Sequence, residues 1–340
     1  MSEALAKPAR PDPETASLDE LDLFLPDLFH DDYHVKVFER LRAEDPVFHQ
    51  DVEEIGSTWN VTRYEDIMAV DTDHDTYSSD GSIVATDQDE DFALPMFIAM
   101  DPPRHDQQRR EVNGVVAPRN LAVMEETIRG RVQTILSGLP VGETFNWVDE
   151  VSIELTTQML ATLFDFPFED RRKLTRWSDV ATADEQSGII ESEEQRREEL
   201  VECLMYFTEL WNQRVNQPPA MDLVSMLAHG ESTKNMDPME YLGNLVLLIV
   251  GGNDTTRNSI TGGVRFLNQF PDEYRKLSAN PGLIPNMVPE IIRFQTPLAY
   301  MRRTTTKDVV LGGKHIPKGG RVLMWYVSGN RDSQMIDQAD

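Results

Sequence analysis

The chain has a single cysteine, Cys203, among 340 residues. An internal disulfide framework and a multi-cysteine zinc site are therefore excluded. Basic residues are also scarce: 32 Lys and Arg stand against 59 Asp and Glu, a formal charge of −27. Such a balance opposes a nucleic-acid or anionic-membrane partner. No apolar run approaches the roughly 18 residues of a membrane span, because the best candidate is halted by Asp254, Thr255 and Thr256. Residues 1–22 lack a basic segment followed by an apolar one and read as a mobile, acidic, Pro-rich tail. The protein is thus expected to be cytoplasmic. G-x-S-x-G, G-x-x-x-x-G-K-[ST] and a strand followed by G-x-G-x-x-G are missing as well, which leaves hydrolase, nucleotide and Rossmann readings without support.

What is present is enough apolar material, 40% of residues with 15 Met, for a substantial core. No low-complexity linker divides the chain, so a single domain over residues 23–340 is expected. Apolar spacing predicts a helix over 31–45, a strand at 58–64 and a helix beginning at Tyr64, hence a short sheet near the start. Pro102 and Pro103 suit the first turn of a further helix. Helices then follow at 119–137, 148–164, 169–183, 191–216 and 237–270, the last with Asp237 as N-cap and Pro238 behind it. After Pro297 the pattern turns to strands, with a hairpin at Gly312-Gly313 and a strand from Gly320. The expected fold is mainly α with a small β region.

The long helix carries an anomaly. Its apolar run from Leu245 to Val250 gives way to Gly251, Gly252, Asn253, Asp254, Thr255 and Thr256. Interior glycine costs about 1 kcal/mol relative to alanine, and an unpaired buried carboxylate costs more. Small residues let another group lie against the helix backbone, and a Thr hydroxyl bonded to the i−4 carbonyl bends or widens a turn. A hydroxyl and a carboxylate in series deliver protons inside an apolar pocket; a kinked helix crossing explains the same residues. Glu290 and Arg293 lie three apart and can pair on one helix face. His105 and Arg109, four apart, project together and suit an anionic ligand or a plain basic face, as do Arg302 and Arg303 before the strands. His30 and His34 have the spacing of some metal sites, but no Glu follows in place and the surrounding helix reads as an acidic surface.

In this order "HDQQR" (105–109), "GGNDTT" (251–256), "EIIR" (290–293), "PLAYMRR" (297–303), "IPKGGRV" (316–322) and "GNRD" (329–332) resemble the cytochromes P-450, haem-thiolate monooxygenases. The resemblance implies that haem b has its propionates held by His105, Arg109 and Arg303, and that Gly251 and Gly252 leave room above it. It further implies a buried structural pair Glu290–Arg293 and a proton relay of Asp254 and Thr255. "LPMFIAMDPPRHD", the stretch from Val151 to Ala183 and "LGNLVLLIVGGNDTTRNS" are similar to the soluble bacterial branch that hydroxylates medium-chain alkanes and fatty acids at the terminal carbon. That likeness implies electrons from NAD(P)H through a ferredoxin reductase and a ferredoxin, dioxygen as co-substrate, and substrate contacts at Phe97, Ile98, Leu298, Ala299 and Met301. The family's axial Cys lies in a glycine-rich loop after the "NRD" segment, whereas this sequence reads to Asp340 and Cys203 falls within a helical stretch. The expectation is a fragment of a longer enzyme, lacking that loop and the following helix and inactive alone. A non-catalytic binding protein for apolar molecules, or a monooxygenase of the same fold acting on terpenes or steroids, are the alternatives.

Overall fold

The computed structural model describes residues 10–53, 55–183 and 185–339. The elements run α1 (Tyr33–Glu44), β1 (Val47–Val52), β2 (Gly56–Val61), α2 (Tyr64–Asp71), β3 (Tyr77–Ser78), α3 (Arg104–Val112) and α4 (Pro118–Ser137). They continue with α5 (Glu154–Phe164), α6 (Arg172–Thr182), α7 (Glu193–Arg214), α8 (Leu223–His229), α9 (Pro238–Gln269), α10 (Pro271–Ala279) and α11 (Ile284–Gln295). The chain then enters β4 (Met301–Thr305), β5 (Val309–Leu311), β6 (Lys314–Ile316), β7 (Arg321–Met324) and α12 (Tyr326–Gly329). These elements form two compact units, described separately.

The first unit takes the described residues up to Ser78, Ser82–Asp87 and those from Leu298 onward. Its sheet has the order β1-β2-β7-β4-β3, with β2 and β7 parallel and the other neighbours antiparallel. Period-two alternation places Val47, Val61, Val322 and Met324 in one apolar cluster and Phe48 and Leu323 in another, where Phe38 and Trp325 lie 5.0 Å apart. The hairpin β5–β6 turns at Gly312 and Gly313, whose φ of 53° and 79° suit the two-residue turn read from the sequence. The expected mobile tail needs correction from Arg10 onward. Arg10 donates to the carbonyls of Asp27 and His30, Ser17 and Glu20 form a capping box, and Leu21 is fully buried. Residues 1–9 of that segment lie outside the described residues. His34 is also buried, 4.9 Å from the Phe29 ring, so its helix face is not a solvated one.

The second unit comprises Ser79–Gly81 and Gln88–Pro297 and is helical. α9 forms without interruption over 32 residues, roughly 48 Å at 1.5 Å each. Asp237 caps it by accepting from the amides of Met239 and Glu240, as the sequence indicates. Around its first half lies the core of this unit, with Trp177, Phe164, Phe207, Leu200 and Cys203. Two expectations are adjusted. The helix at 148–164 begins as a π-helix (Val148–Ile153) before α5, and α3 starts after the proline pair, at Arg104, instead of containing it. No helix of the described residues is long and apolar enough to cross a membrane.

Candidate active site

The GGNDTT stretch lies in the second unit, in the middle of α9, and the helix runs through it unbroken. A Cβ built on Gly251 would meet nothing within 4 Å, whereas one on Gly252 would stand 2.7 Å from Leu160 of α5. The two glycines therefore do different things: Gly252 admits a neighbouring helix, and Gly251 leaves an open face. Thr255, one turn further, stands on that open face and donates its hydroxyl to the Gly251 carbonyl at 3.0 Å. This is the i−4 bond foreseen from the sequence.

Asp254 points elsewhere. Its carboxylate accepts from Ser178 of α6 at 3.1 Å and from Asn253 at 3.2 Å, and pairs with Arg257 at 3.0 Å. Arg257 also holds Asp179 at 2.9 Å. Burial pushes the Asp254 carboxyl above the usual carboxylate range, and Asp179 adds to this, while Arg257, Ser178 and Asn253 pull it back. Asn253 is fully buried and accepts from Thr156 of α5 at 2.9 Å. The carboxylate and the hydroxyl expected in series are thus not bonded to one another. Consecutive helical residues diverge by about 100°, so Asp254 faces α6 while Thr255 faces outward. Arg257 was legible as a neighbour of Asp254 at i+3; Ser178, Asp179 and Thr156 come from distant parts of the chain and had no local signal.

Of the anticipated propionate ligands, His105 and Arg109 lie on α3. His105 is held by Asp106, with 2.8 Å between Nδ1 and the carboxylate. Arg109 is exposed, and its side chain makes no hydrogen bond or ion pair among the described residues. On so acidic a protein an arginine whose guanidinium holds no carboxylate is well suited to an anion from outside the chain. In the first unit, Arg303 is mostly buried and paired with Asp71 at 2.8 Å, so the structure shows it engaged. Its neighbour Arg302 is buried against Asp87 at 2.7 Å. Glu290 and Arg293 form a bidentate pair at 2.7 and 2.8 Å, but Glu290 is 59% exposed, so the expected burial holds for the arginine alone.

The anticipated substrate contacts divide. Phe97 is packed in the core of the second unit and its amide is bonded to Asn244, while Ile98 is half-buried. In the first unit Ala299 and Met301 pack against apolar clusters, leaving Leu298, 42% exposed, as the freest of the three. Cys203 is fully buried in the α7 core, where burial pushes its thiol well up, so it fits packing and not iron ligation. The residues that do fit a porphyrin are the open face at Gly251 and the free guanidinium of Arg109.

Comparison with known proteins identifies the family. Residues 141–340 match the family model for cytochrome P-450. Linalool 8-monooxygenase of Pseudomonas putida is 32% identical over 333 residues, covering 94% of this chain and 81% of its own length. The structure of cytochrome P-450-153 from Novosphingobium aromaticivorans is 43% identical with a TM-score of 0.85, covering 92% of this chain and 80% of that one. That of CYP153D17 from Sphingomonas sp. PAMC 26605 is 46% identical with a TM-score of 0.86, covering 93% and 80%. With a family model spanning more than half its length, this chain belongs to the cytochrome P-450 family.

Proposed function

We propose that the protein is a haem-dependent monooxygenase that hydroxylates the terminal carbon of medium-chain alkanes or fatty acids. The observation that carries this reading is the stripe on α9 where Gly251 leaves open space directly before the Thr255 hydroxyl. The resemblance of "LPMFIAMDPPRHD" and "LGNLVLLIVGGNDTTRNS" to the alkane- and fatty-acid-hydroxylating branch supports the substrate class.

Haem, when bound, supplies the activation of dioxygen that insertion into an unactivated C–H bond requires. Arg109 and His105 on α3 would hold its propionates; Arg303, in the first unit, would serve an anion only by releasing Asp71. Gly251 would keep the helix thin beside it, while Gly252 lets α5 pack closely. Thr255 presents Oγ1–H to the ligand side and keeps it ordered on the Gly251 carbonyl between turnovers. Asp254 stores a proton at its carboxyl, a role favoured by the upward push of burial, and Arg257 holds that carboxyl toward α6. Because the acid faces away from the hydroxyl, proton delivery requires Asp254 to leave Ser178 and Arg257 or to pass its proton through water. Electrons come from NAD(P)H through a ferredoxin reductase and a ferredoxin.

A second reading, oxidation of a terpene, is favoured by the match to linalool 8-monooxygenase. The product of the complete gene is incubated with ferredoxin, reductase, NADH and either n-octane, dodecanoic acid or linalool. Terminal alcohols from the first two are expected. Turnover of linalool alone moves the assignment to terpenes, and failure to take up haem removes the monooxygenase reading.

A further inference from the structure

A line of polar groups runs from the surface of α3 into the core of the second unit. α9 presents Glu240 and Asn244, and α3 presents Arg104 and Gln108; each pair is four residues apart and so lies on one helix face. Arg104 donates to Glu240 Oε1 at 3.0 Å, and Gln108 Nε2 donates to the same oxygen. Asn244 Nδ2 donates to Gln108 Oε1 at 3.1 Å, and Asn244 Oδ1 accepts the backbone N–H of Phe97 at 2.9 Å. Asn244 is fully buried, Gln108 is 4% exposed and Glu240 8%.

The line has a direction. A carboxylate accepts, a backbone N–H donates, and the two amides between them are each left one orientation that satisfies both ends. Burying three polar side chains is costly unless every member is satisfied, and apolar residues would fill the same space at less cost. Its effect is positional. The neighbouring Gly243 lies so close to the 94–99 segment that a Cβ there would stand 2.1 Å from the Pro95 carbonyl oxygen. The segment is therefore pressed onto α9 at one residue and tied to it at the next.

Asn244 precedes Gly251 by seven residues and Thr255 by eleven. At 100° and 1.5 Å per residue all three fall within about 20° of one stripe, with Asn244 roughly 10 Å and 16 Å from the other two. We propose that the Glu240–Gln108–Asn244 line is a positioning latch, setting where the Phe97–Ile98 turn stands along α9 relative to Thr255 and hence which carbon of an aliphatic chain is oxidised. This rests on the hydroxylase reading above.

The test compares wild type, Asn244→Ala, Gln108→Glu and the double variant Gln108→Glu/Glu240→Gln. Gln108→Glu sets two carboxyl groups against each other and removes the donor to Glu240. The double variant restores an amide donor facing a carboxylate, which can still accept from Asn244. Hydrogen exchange of the 94–99 segment is read on the purified protein, with the 200–207 stretch of α7 as the control for folding. The ratio of 1-octanol to 2-octanol is read from n-octane. Both single variants are expected to speed exchange at Phe97 about tenfold, an opening confined to one local unit. They are also expected to lower the octanol ratio about threefold, within the range a displaced pocket wall gives, with the double variant returning both toward wild type. Octanol formation with an unaltered ratio in both single variants overturns the latch and leaves the hydroxylase reading standing. A wild-type protein that makes no octanol while Phe97 exchange still responds overturns the hydroxylase reading, and with it the substrate-setting role.

Discussion

At the scale of single residues, the consequential observation is that Asp254 and Thr255, adjacent in sequence, face different partners. Arg257 lowers the Asp254 carboxyl against the upward push of burial, so Arg257→Leu should raise it. If Asp254 serves as a proton store, the alkaline limb of the pH–rate profile moves to higher pH in that variant. A limb that stays in place or moves down assigns the limb to another group. Thr255→Ala leaves the helix intact and removes the outward hydroxyl. Product per NADH consumed is expected to fall at least about tenfold, with peroxide making up the difference, and the substrate dissociation constant unchanged. His34 supplies a stability test. Burial, helped by Arg331 and opposed by Asp32, holds its ring down from 6.5 to about 4. The unfolded chain protonates near 6.5 and the folded one resists, so this contribution is complete above pH 6.5 and drains away as the pH falls toward about 4. The full loss is about 3 kcal/mol, read as the difference between wild type and His34→Leu in urea midpoints at the two ends of that window.

At the scale of elements, α9 and the β5–β6 hairpin were legible because their signals are local. Asp237 before Pro238 marks a helix start, and Gly312-Gly313 between alternating runs marks a two-residue turn. Gly312→Ala would bring a Cβ to 2.5 Å from the Val47 side chain at a left-handed φ. A loss of about 1–2 kcal/mol is expected by chemical denaturation, mostly from that conformation. Gly251→Val is the functional counterpart. With nothing within 4 Å of the added Cβ, stability should change by no more than about 0.5 kcal/mol while substrate affinity drops about tenfold. The sequence did not reveal the π turn at Val148–Ile153, because apolar periodicity over six residues does not distinguish i+4 from i+5 bonding. Nor did it reveal that Phe97, Ala299 and Met301 are packed side chains: an apolar residue reads alike whether it lines a pocket or fills a core. The motif residues themselves were readable, since GGNDTT breaks a helix rule and so marks either a site or a close helix crossing; Gly252 serves the crossing. Their partners on α5 and α6 depend on tertiary structure.

At the scale of the whole molecule, a charge of −27 means self-repulsion that salt should relieve. The thermal midpoint is expected to rise between about 10 mM and 0.5 M sodium chloride, as the screening length falls from roughly 30 Å toward a few ångströms. A midpoint that falls instead would mean that ion pairs such as Arg302–Asp87 outweigh the repulsion. The strand order carries a different consequence. β7 lies between β2 and β4, so the parallel pairing of Thr58 with Arg321 joins residues more than 260 positions apart. The second unit is almost one continuous stretch, whereas the first is split around it. At about 5–20 residues per second, a ribosome takes some 13–50 s to travel from β2 to β7, and during that interval the β1–β2 hairpin has a bare edge. Birth of this protein is thus staged: the helical middle can settle first, and the early strands wait, one edge bare, for a partner translated some 260 residues later.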